Sequence, residues 1–352
     1  MSALVGREAR TVAVVGLGLV GGSVARRLVD QGLDVVGVDP SAATRTAAAA
    51  VGVRCAGSIG DLAVECGWSA GEVPDVVVVA VPLRAMAETA RELASALGVG
   101  ATRGGVVLTD VGSVKAPVRE AFAAAGLAGS YVGAHPMAGT EQSGFAASSA
   151  QMLAGARWAV TVDPATDAQR LQTLLRLVTG PLGGSAVLLS DADHDRATAL
   201  VSHVPHVLAT ELLRLVGRSP VRDVALGLAA GSFRDGTRVG RTDPRRTEAM
   251  VRDNANDVAP LLREVARDLA VLAGRLERGE DIAAVFDEPA PVRETLARGG
   301  DGGGDDVDAA GAAGAVGSAG HGDDWRARLL AEAAAGAVVV GVDADTGALR
   351  YA

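Results

Sequence analysis

The chain has 352 residues, too many for one small domain and enough for two. It is 49% hydrophobic and 21% charged, as in an ordinary soluble globular protein, and aromatics at 3% leave the core to Ala, Val and Leu. A formal net charge of -9 argues against a general nucleic-acid or anionic-membrane binder, while a local basic pocket for a small acid stays open.

The two cysteines, Cys55 and Cys66, form no C-x-x-C pair and suit a reducing compartment. The opening "MSALVGREARTVAVVG" runs straight into a strand pattern, and "AVVVGVDADTG" near the far end is too short for a bilayer. The expectation is a cytoplasmic protein with no signal peptide and no membrane span.

In chain order, short β-branched runs alternate with helical patterns. Strands are predicted at 11–16, 33–39, 75–82, 104–112, 130–136 and 157–164, with a helix at 20–31. That alternation implies βαβ units and a mostly parallel sheet covered on both faces. After residue 164 the pattern turns helical. A helix at 167–179 is followed by two long stripes. Ala197, Leu200, Val201, Val204, Val207, Leu208, Leu212 and Leu215 lie along one arc of 191–216. Met250, Val258, Leu261, Leu262, Val265, Leu269, Leu272 and Leu276 lie along 245–279. Such helices pack on each other or on a second subunit. From Pro289 the chain becomes rich in Gly, Ala and Asp. The expected organisation is an α/β dinucleotide-binding domain over 1–164 and an all-helical domain over 165–288. A disordered linker over 289–324 and a short tail over 325–352 then follow.

"VVGLGLVGGS" places Gly16, Gly18 and Gly21 in a G-x-G-x-x-G turn, after a strand and opening a helix. Glycines there permit the tight turn and let backbone N–H groups approach a pyrophosphate, with Leu19 and Val20 in the same turn. Asp39 ends the second strand. Its carboxylate can accept from both adenosine ribose hydroxyls and repels a 2′-phosphate, which favours NAD over NADP. Val81 and Pro82, after the third strand, would form an apolar wall against the cofactor. Without a ligand, all of this would be a glycine-rich strand–helix turn.

Three loops could bring polar groups to the carboxyl ends of the strands, where ligands of open α/β sheets bind. "TDVGSVK" presents Ser113 and Lys115. "GAHPMAGTEQSG" presents His135 and Glu141. The helical half adds "SHVPH" and "GSFRDGTR". Pro136 restricts the backbone of His135 and fixes its aim. His203 and His206, three apart on a helix, share one side, yet no third ligand has suitable spacing, so no metal is expected. Pro205 implies a kink. His194, between Asp193 and Asp195, reads as a helix-terminus residue.

"GLGLVGGS", "DVGSVK", "HPMAGTEQSG", "HD" at 194–195, "SHVPH" and "FRDGTR…TDP…N" stand in one order, and together they resemble the prephenate and arogenate dehydrogenase family over residues 11 to 280. The resemblance implies a dinucleotide-binding domain followed by a helical dimerisation domain, and hence a homodimer. It implies NAD-dependent oxidative decarboxylation of prephenate, in which hydride leaves C4, the C4 hydroxyl loses a proton and the ring becomes aromatic as CO2 departs. His135 is then the proton acceptor, a suitable role for a neutral imidazole. Ser113 either bonds the same hydroxyl or orients His135, and helix capping competes with both. Arg238 takes the ring carboxylate bidentately, with a salt bridge to Asp235 or Asp243 as the structural alternative. His206 lines the pocket, and Ser202 and His203 support it, His203 more as structure than as chemistry. Glu141 stands at the pocket mouth or merely faces water. Thr247 occupies the place where family members often carry a tryptophan. Arogenate is the alternative substrate. A β-hydroxyacid dehydrogenase and a non-catalytic dinucleotide sensor fit less of the pattern. The sensor would not need His135, Ser113 and Arg238 together.

Overall fold

A computed structural model describes residues 8–65, 68, 73–103, 105–140, 142–298, 314–318 and 324–352. The chain forms two compact units, Met1–Asp195 with Asp306–Ala352, and Arg196–Asp305.

The first unit starts from five parallel strands, β1 (Thr11–Val15), β2 (Asp34–Val38), β3 (Arg54–Ala56), β4 (Val76–Val79) and β5 (Val107–Asp110), in the order β3-β2-β1-β4-β5. Helices α1 (Leu19–Asp30), α2 (Ala42–Ala49), α3 (Ile59–Glu65), α4 (Leu83–Arg103, broken at Gly98) and α5 (Ala116–Ala124) follow these strands in turn. β4 reads Val-Val-Val-Val because both its faces are covered. Alternate residues feed different cores. Val12 and Val14 join one buried cluster, Ala13 and Val15 the other.

A second sheet has the order β6-β7-β8-β10-β11-β9, with β6 (Ala134–Pro136), β7 (Arg157–Thr161), β8 (Ser185–Leu189), β9 (Gly314–Ser318), β10 (Val339–Val342) and β11 (Ala348–Tyr351). α6 (Ala168–Thr179) is capped at its start by Asp167, whose side chain accepts from the Arg170 N–H. It buries Leu171, Leu174, Leu175, Leu177 and Val178 in the cluster that also holds β1, β7 and β8 residues.

Four expectations from the sequence change here. First, the strands do not share one sheet. Tyr131 pairs in parallel with Leu108, and the chain then crosses so that β6 runs antiparallel to β7, His135 facing Ala159. Gly133 makes that crossing, since a Cβ there would lie 2.4 Å from Thr161 Oγ1. Second, the first unit continues past residue 164 through α6 and β8 to Asp195. β8 was hidden because its five residues, three of them buried, lie between β7 and β10 and show no clear alternation. Third, the stretch read as a disordered linker contains ordered pieces. Residues 290–298 are helical, and Gly314–Ser318 pairs antiparallel with β11. The rest of that stretch lies outside the described residues.

Fourth, the last residues are a structural part of the first unit. Trp325, Leu329, Val339 and Leu349 are buried in the same cluster as β1 and α6. β10 pairs antiparallel with β8. Gln172 Nε2 donates to the Gly347 carbonyl at 3.2 Å and Arg176 to that of Asp343 at 2.7 Å, tying α6 to the terminal hairpin.

The helical unit follows α7 (Asp191–Thr198), inside which the division between the units falls. A π-turn over Ala199–His203 leads into α8 (Val204–Arg218). Pro205 lacks an N–H and crowds the carbonyl four residues back, so the backbone widens just before it, which is the predicted kink. Then come α9 (Arg222–Gly227), α10 (Gly231–Gly236), α11 (Pro244–Asp253), α12 (Ala255–Glu277), α13 (Ala283–Asp287) and α14 (Ala290–Arg298). The buried cluster here is small: Ala199, Val204, Val258 and Leu261. Leu200, Val201, Leu208, Leu212, Leu215, Leu269 and Leu276 are exposed. The helix from Asp191 to Arg218 has the length and mean hydropathy of a membrane span, yet only 22% of its most apolar stretch is buried. The same apolar stripe, laid bare on one face, is what a subunit contact would use.

Candidate active site

β1 ends at Val15 and the chain turns at once. Gly16 takes φ +95°, a left-handed conformation natural only to glycine, and a Cβ on it would lie 2.5 Å from the Ala80 carbonyl. Gly21 is equally crowded, since its Cβ would meet the Gly16 oxygen at 2.0 Å. Packing therefore explains these two glycines. It does not explain Gly18, where an added Cβ would find nothing within 4 Å. A small residue that the protein itself does not crowd marks the surface where a ligand's pyrophosphate would lie. α1 opens directly behind it at Leu19, without a capping side chain and without an acidic residue in its first turn, so its positive end faces the turn.

Asp39 stands beside the turn. One carboxylate oxygen accepts from the Leu17 N–H at 3.1 Å and the other from the Ser41 N–H at 2.9 Å. The half-buried carboxylate thus shapes the glycine turn and keeps lone pairs for a ribose. Val81 packs against Gly16, and Pro82 is exposed beside it. Gly16, Gly18, Leu19, Val20, Gly21, Asp39, Val81 and Pro82 therefore gather at the carboxyl ends of β1, β2 and β4, a fitting cradle for a dinucleotide.

At the end of β5 sits a fully buried cluster. The Lys115 ammonium is ion-paired with Asp110 and donates to the Ala134 carbonyl at 2.8 Å. Asp110 also accepts from the Tyr131 hydroxyl and the Gly112 N–H, both at 2.8 Å. Burial lowers the pKa of Lys115 while the Asp110 charge opposes the shift, and burial followed by Asp110 pushes the Tyr131 phenol well up. Lys115 holds the strand that carries His135 and is sealed from solvent.

His135 is half-buried in β6 itself. Its Nδ1 lies 3.0 Å from Nε2 of His194, and Nδ1 of His194 lies 2.7 Å from Oδ1 of Asp195. Asp195 in turn accepts from the Lys115 N–H at 2.7 Å and the Ala116 N–H at 2.9 Å. Those are orphan donors at the start of α5, so Asp195 caps that helix across 79 to 80 positions of sequence. Burial works against the Asp195 charge. The hydrogen bonds from His194 and from the Ala116 and Lys115 N–H groups outweigh it and hold the carboxyl below its usual range. Arg119, one turn into α5, is ion-paired with Asp191 and with Asp163 at 3.1 Å, which fastens α5 to α7 and to the end of β7.

Two readings of single residues change. His194 is no mere helix-terminus residue: it is buried against His135. Ser113 does not cap α5, because Asp195 does. Among the described residues the Ser113 hydroxyl has no hydrogen-bond partner and remains available to a ligand. Lys115, read from the sequence as presented to a ligand, is instead fully buried, and Asp110, Tyr131, Arg119 and Asp195 were not selected from the sequence. The "HD" pair was visible, but nothing in linear order joins it to a histidine 59 residues away.

The other candidates lie in the helical unit. His203 is fully buried and within 3.0 Å of Asn254 Nδ2, joining the π-turn to the start of α12. His206 is half-buried, its Nδ1 2.8 Å from the Ser202 carbonyl. Arg238 is exposed and, among the described residues, makes no ion pair with Asp235 or Asp243; Asp243 instead caps α11. Glu141 lies outside the described residues.

Comparison with known proteins adds the following. Residues 24–187 match the family model described as prephenate dehydrogenase, nucleotide-binding domain, and residues 190–286 that described as prephenate dehydrogenase, dimerization domain. The chain is 32% identical over 291 residues to a cyclohexadienyl dehydrogenase of Zymomonas mobilis, spanning 81% of this chain and 95% of that protein. A Corynebacterium glutamicum structure ascribed to prephenate dehydrogenase covers 94% of this chain and 98% of its own, with 27% identity and a TM-score of 0.77. Prephenate dehydrogenase from Aquifex aeolicus, solved with hydroxyphenyl propionate and NAD+, has 27% identity and a TM-score of 0.71, covering 82% of this chain and 99% of its own.

Proposed function

From the premise that this chain belongs to the prephenate dehydrogenase family, we propose that it oxidatively decarboxylates prephenate to 4-hydroxyphenylpyruvate with NAD. We further propose that it works as a cytoplasmic homodimer joined through its helical unit. The observation that supports this reading is the glycine turn with Asp39 at the carboxyl ends of β1 and β2, together with His135 on β6, just after the Tyr131–Leu108 bridge to β5.

NAD, when bound on the glycine turn and Asp39, supplies the acceptor for the hydride that leaves C4. The chain's own residues do the rest. His135 accepts the proton of the C4 hydroxyl, and Ser113 donates or accepts a hydrogen bond at that oxygen. Arg238 binds the ring carboxylate through its planar guanidinium, and His206 and Ser202 line the substrate side of the helical unit. Loss of CO2 then needs no acid, because aromatisation of the ring drives it. Burial of Lys115 with Asp110 supports this assignment by exclusion, since a sealed lysine cannot be the proton carrier that a β-hydroxyacid dehydrogenase uses.

Arogenate is the second reading. It is favoured by the 32% identity to a cyclohexadienyl dehydrogenase, a name that fits both substrate rings. A paired assay of prephenate against arogenate, each with NAD and NADP, decides between them by kcat/KM. In the same assay His135→Asn is expected to lower kcat about 10³-fold with NAD affinity nearly unchanged. Near-normal turnover would remove His135 from the chemistry.

A further inference from the structure

We infer that His194 and Asp195 form a relay behind His135 that fixes which ring nitrogen of His135 accepts the substrate proton. It also steadies the imidazolium that results. The inference rests on His135 being the acceptor and goes beyond it.

Acid–base logic runs outward from Asp195. An ionised carboxylate only accepts hydrogen bonds. Asp195 is kept ionised by the Lys115 and Ala116 N–H groups and by the positive end of α5. The His194 Nδ1, 2.7 Å away, must therefore carry a proton. A neutral imidazole has one N–H, so Nε2 of His194 is an acceptor. The atom facing it at 3.0 Å is Nδ1 of His135, which must then be the donor. Neutral His135 is left with Nε2 as its basic nitrogen. Both outer groups of the relay are sealed, His194 being 1% and Asp195 4% exposed. Water therefore does not compete for these bonds, and the low local dielectric strengthens them.

The proton count closes. One proton passes from the C4 oxygen to Nε2 of His135, whose ring becomes positively charged with both nitrogens protonated. The Nδ1–H to His194 shortens the reach of that charge to Asp195, which stays an anion throughout. The proton returns to solvent when product leaves. Among the described residues, the nearby ionised pairs are Lys115 with Asp110 and Arg119 with Asp191 and Asp163. Tyr131, bonded to Asp110, is neutral. Asp195 is thus the anion that answers the new charge. His194 and Asp195 are positioning residues and do not touch substrate.

Two measurements on the full-length protein test this. Long-range 1H–15N correlation of histidine-labelled protein reads ring tautomers without turnover, with His135→Asn and His194→Gln for assignment. The expected signature is an Nδ1–H tautomer for both His135 and His194; an Nε2–H tautomer in either ring overturns the relay. Steady-state kinetics then read its use. Asp195→Asn keeps the shape but can hold His194 in the wrong tautomer, a change that costs on the order of 10⁴-fold where the carboxylate touches the base directly. One imidazole further out, kcat is expected to fall about 10²-fold with KM and NAD affinity within about threefold. The acid limb of the kcat/KM profile moves to lower pH, because the anion that favours protonated His135 is gone. His194→Gln, whose amide oxygen can stand in for Nε2, is expected to keep at least about tenfold more turnover than His194→Leu. A folded Asp195→Asn with kcat within about twofold of the parent and an unmoved limb overturns the proposal. Failure of the acceptor reading looks different: His135→Asn turns over normally while the tautomers stay as stated.

Discussion

Leu174 on α6 and Leu212 on α8 both lie on the apolar stripe of an amphipathic helix, yet the first is 1% exposed and the second 43%. The same contrast separates the two units. In the first, α6 meets a sheet and its leucines vanish into a core shared with β1, β7, β8 and the terminal hairpin. In the second, Ala199, Val204, Val258 and Leu261 form a small cluster with Val251, Leu262 and Val265 packed on it, while Leu200, Val201, Leu208, Leu212, Leu215, Leu269 and Leu276 stay exposed. Charges behave alike. Arg119 in the first unit is paired with Asp163 and Asp191, whereas Arg238 in the second has no ion pair among the described residues. The first unit is complete in itself, with polar residues that position one another. The second leaves apolar surface and the Arg238 cation exposed.

The strongest way to break this contrast is to open the first core. Ending the chain after Arg298 removes Trp325, Leu329, Val339 and Leu349. At about 1.5–3 kcal/mol each the loss is roughly 6–12 kcal/mol, as large as a typical domain's whole stability. The truncated chain is expected to lose its cooperative thermal transition, and an unchanged Tm would show the hairpin to be an accessory. Opening the second unit should act differently. Leu212→Asp with Leu215→Asp is expected to weaken dimerisation at least about 10²-fold by sedimentation, with NAD binding kept; an intact dimer would show that these leucines are not the contact. Next comes Arg238→Gln, expected to raise KM for prephenate about 10- to 100-fold with a smaller change in kcat. An unchanged KM would exclude it from carboxylate binding. The smallest effect is expected of Asp39→Ala, which should reduce the NAD-over-NADP ratio of kcat/KM about tenfold. Persistent selectivity would leave Asp39 only its bonds to Leu17 and Ser41.

How much of this was legible depended on range. The glycine turn, β1, β2, β4 and β5 could be read because their signals lie within a few residues of each other: Gly16 to Gly21, or four consecutive valines. His135 could be picked out through Pro136 and the motif around it. Lys115 looked like a residue presented to ligand, and its burial could not be read, since the partners that bury it, Asp110 and the Ala134 carbonyl, belong to other elements. His194 looked like a helix end for the same reason. The terminal segment read only as a short tail because its buried side chains, Trp325, Leu329, Val339, Ala348 and Leu349, are scattered through a glycine- and alanine-rich stretch, and their value appears only when β10 pairs with β8.

By itself, then, the sequence determined what local rules control. Those are the alternation that makes a parallel α/β unit, the glycines that turn the chain under a dinucleotide, and the two apolar stripes of a helical unit. Only the tertiary structure decided which side chains face one another. It placed Asp195 at the head of α5, His194 between Asp195 and His135, and the last strands against β8. The pairings between elements span 59 to 153 positions of sequence. Hydrogen bonds act over about 3 Å of space, whatever the separation along the chain, and that is why no spacing rule could have revealed them.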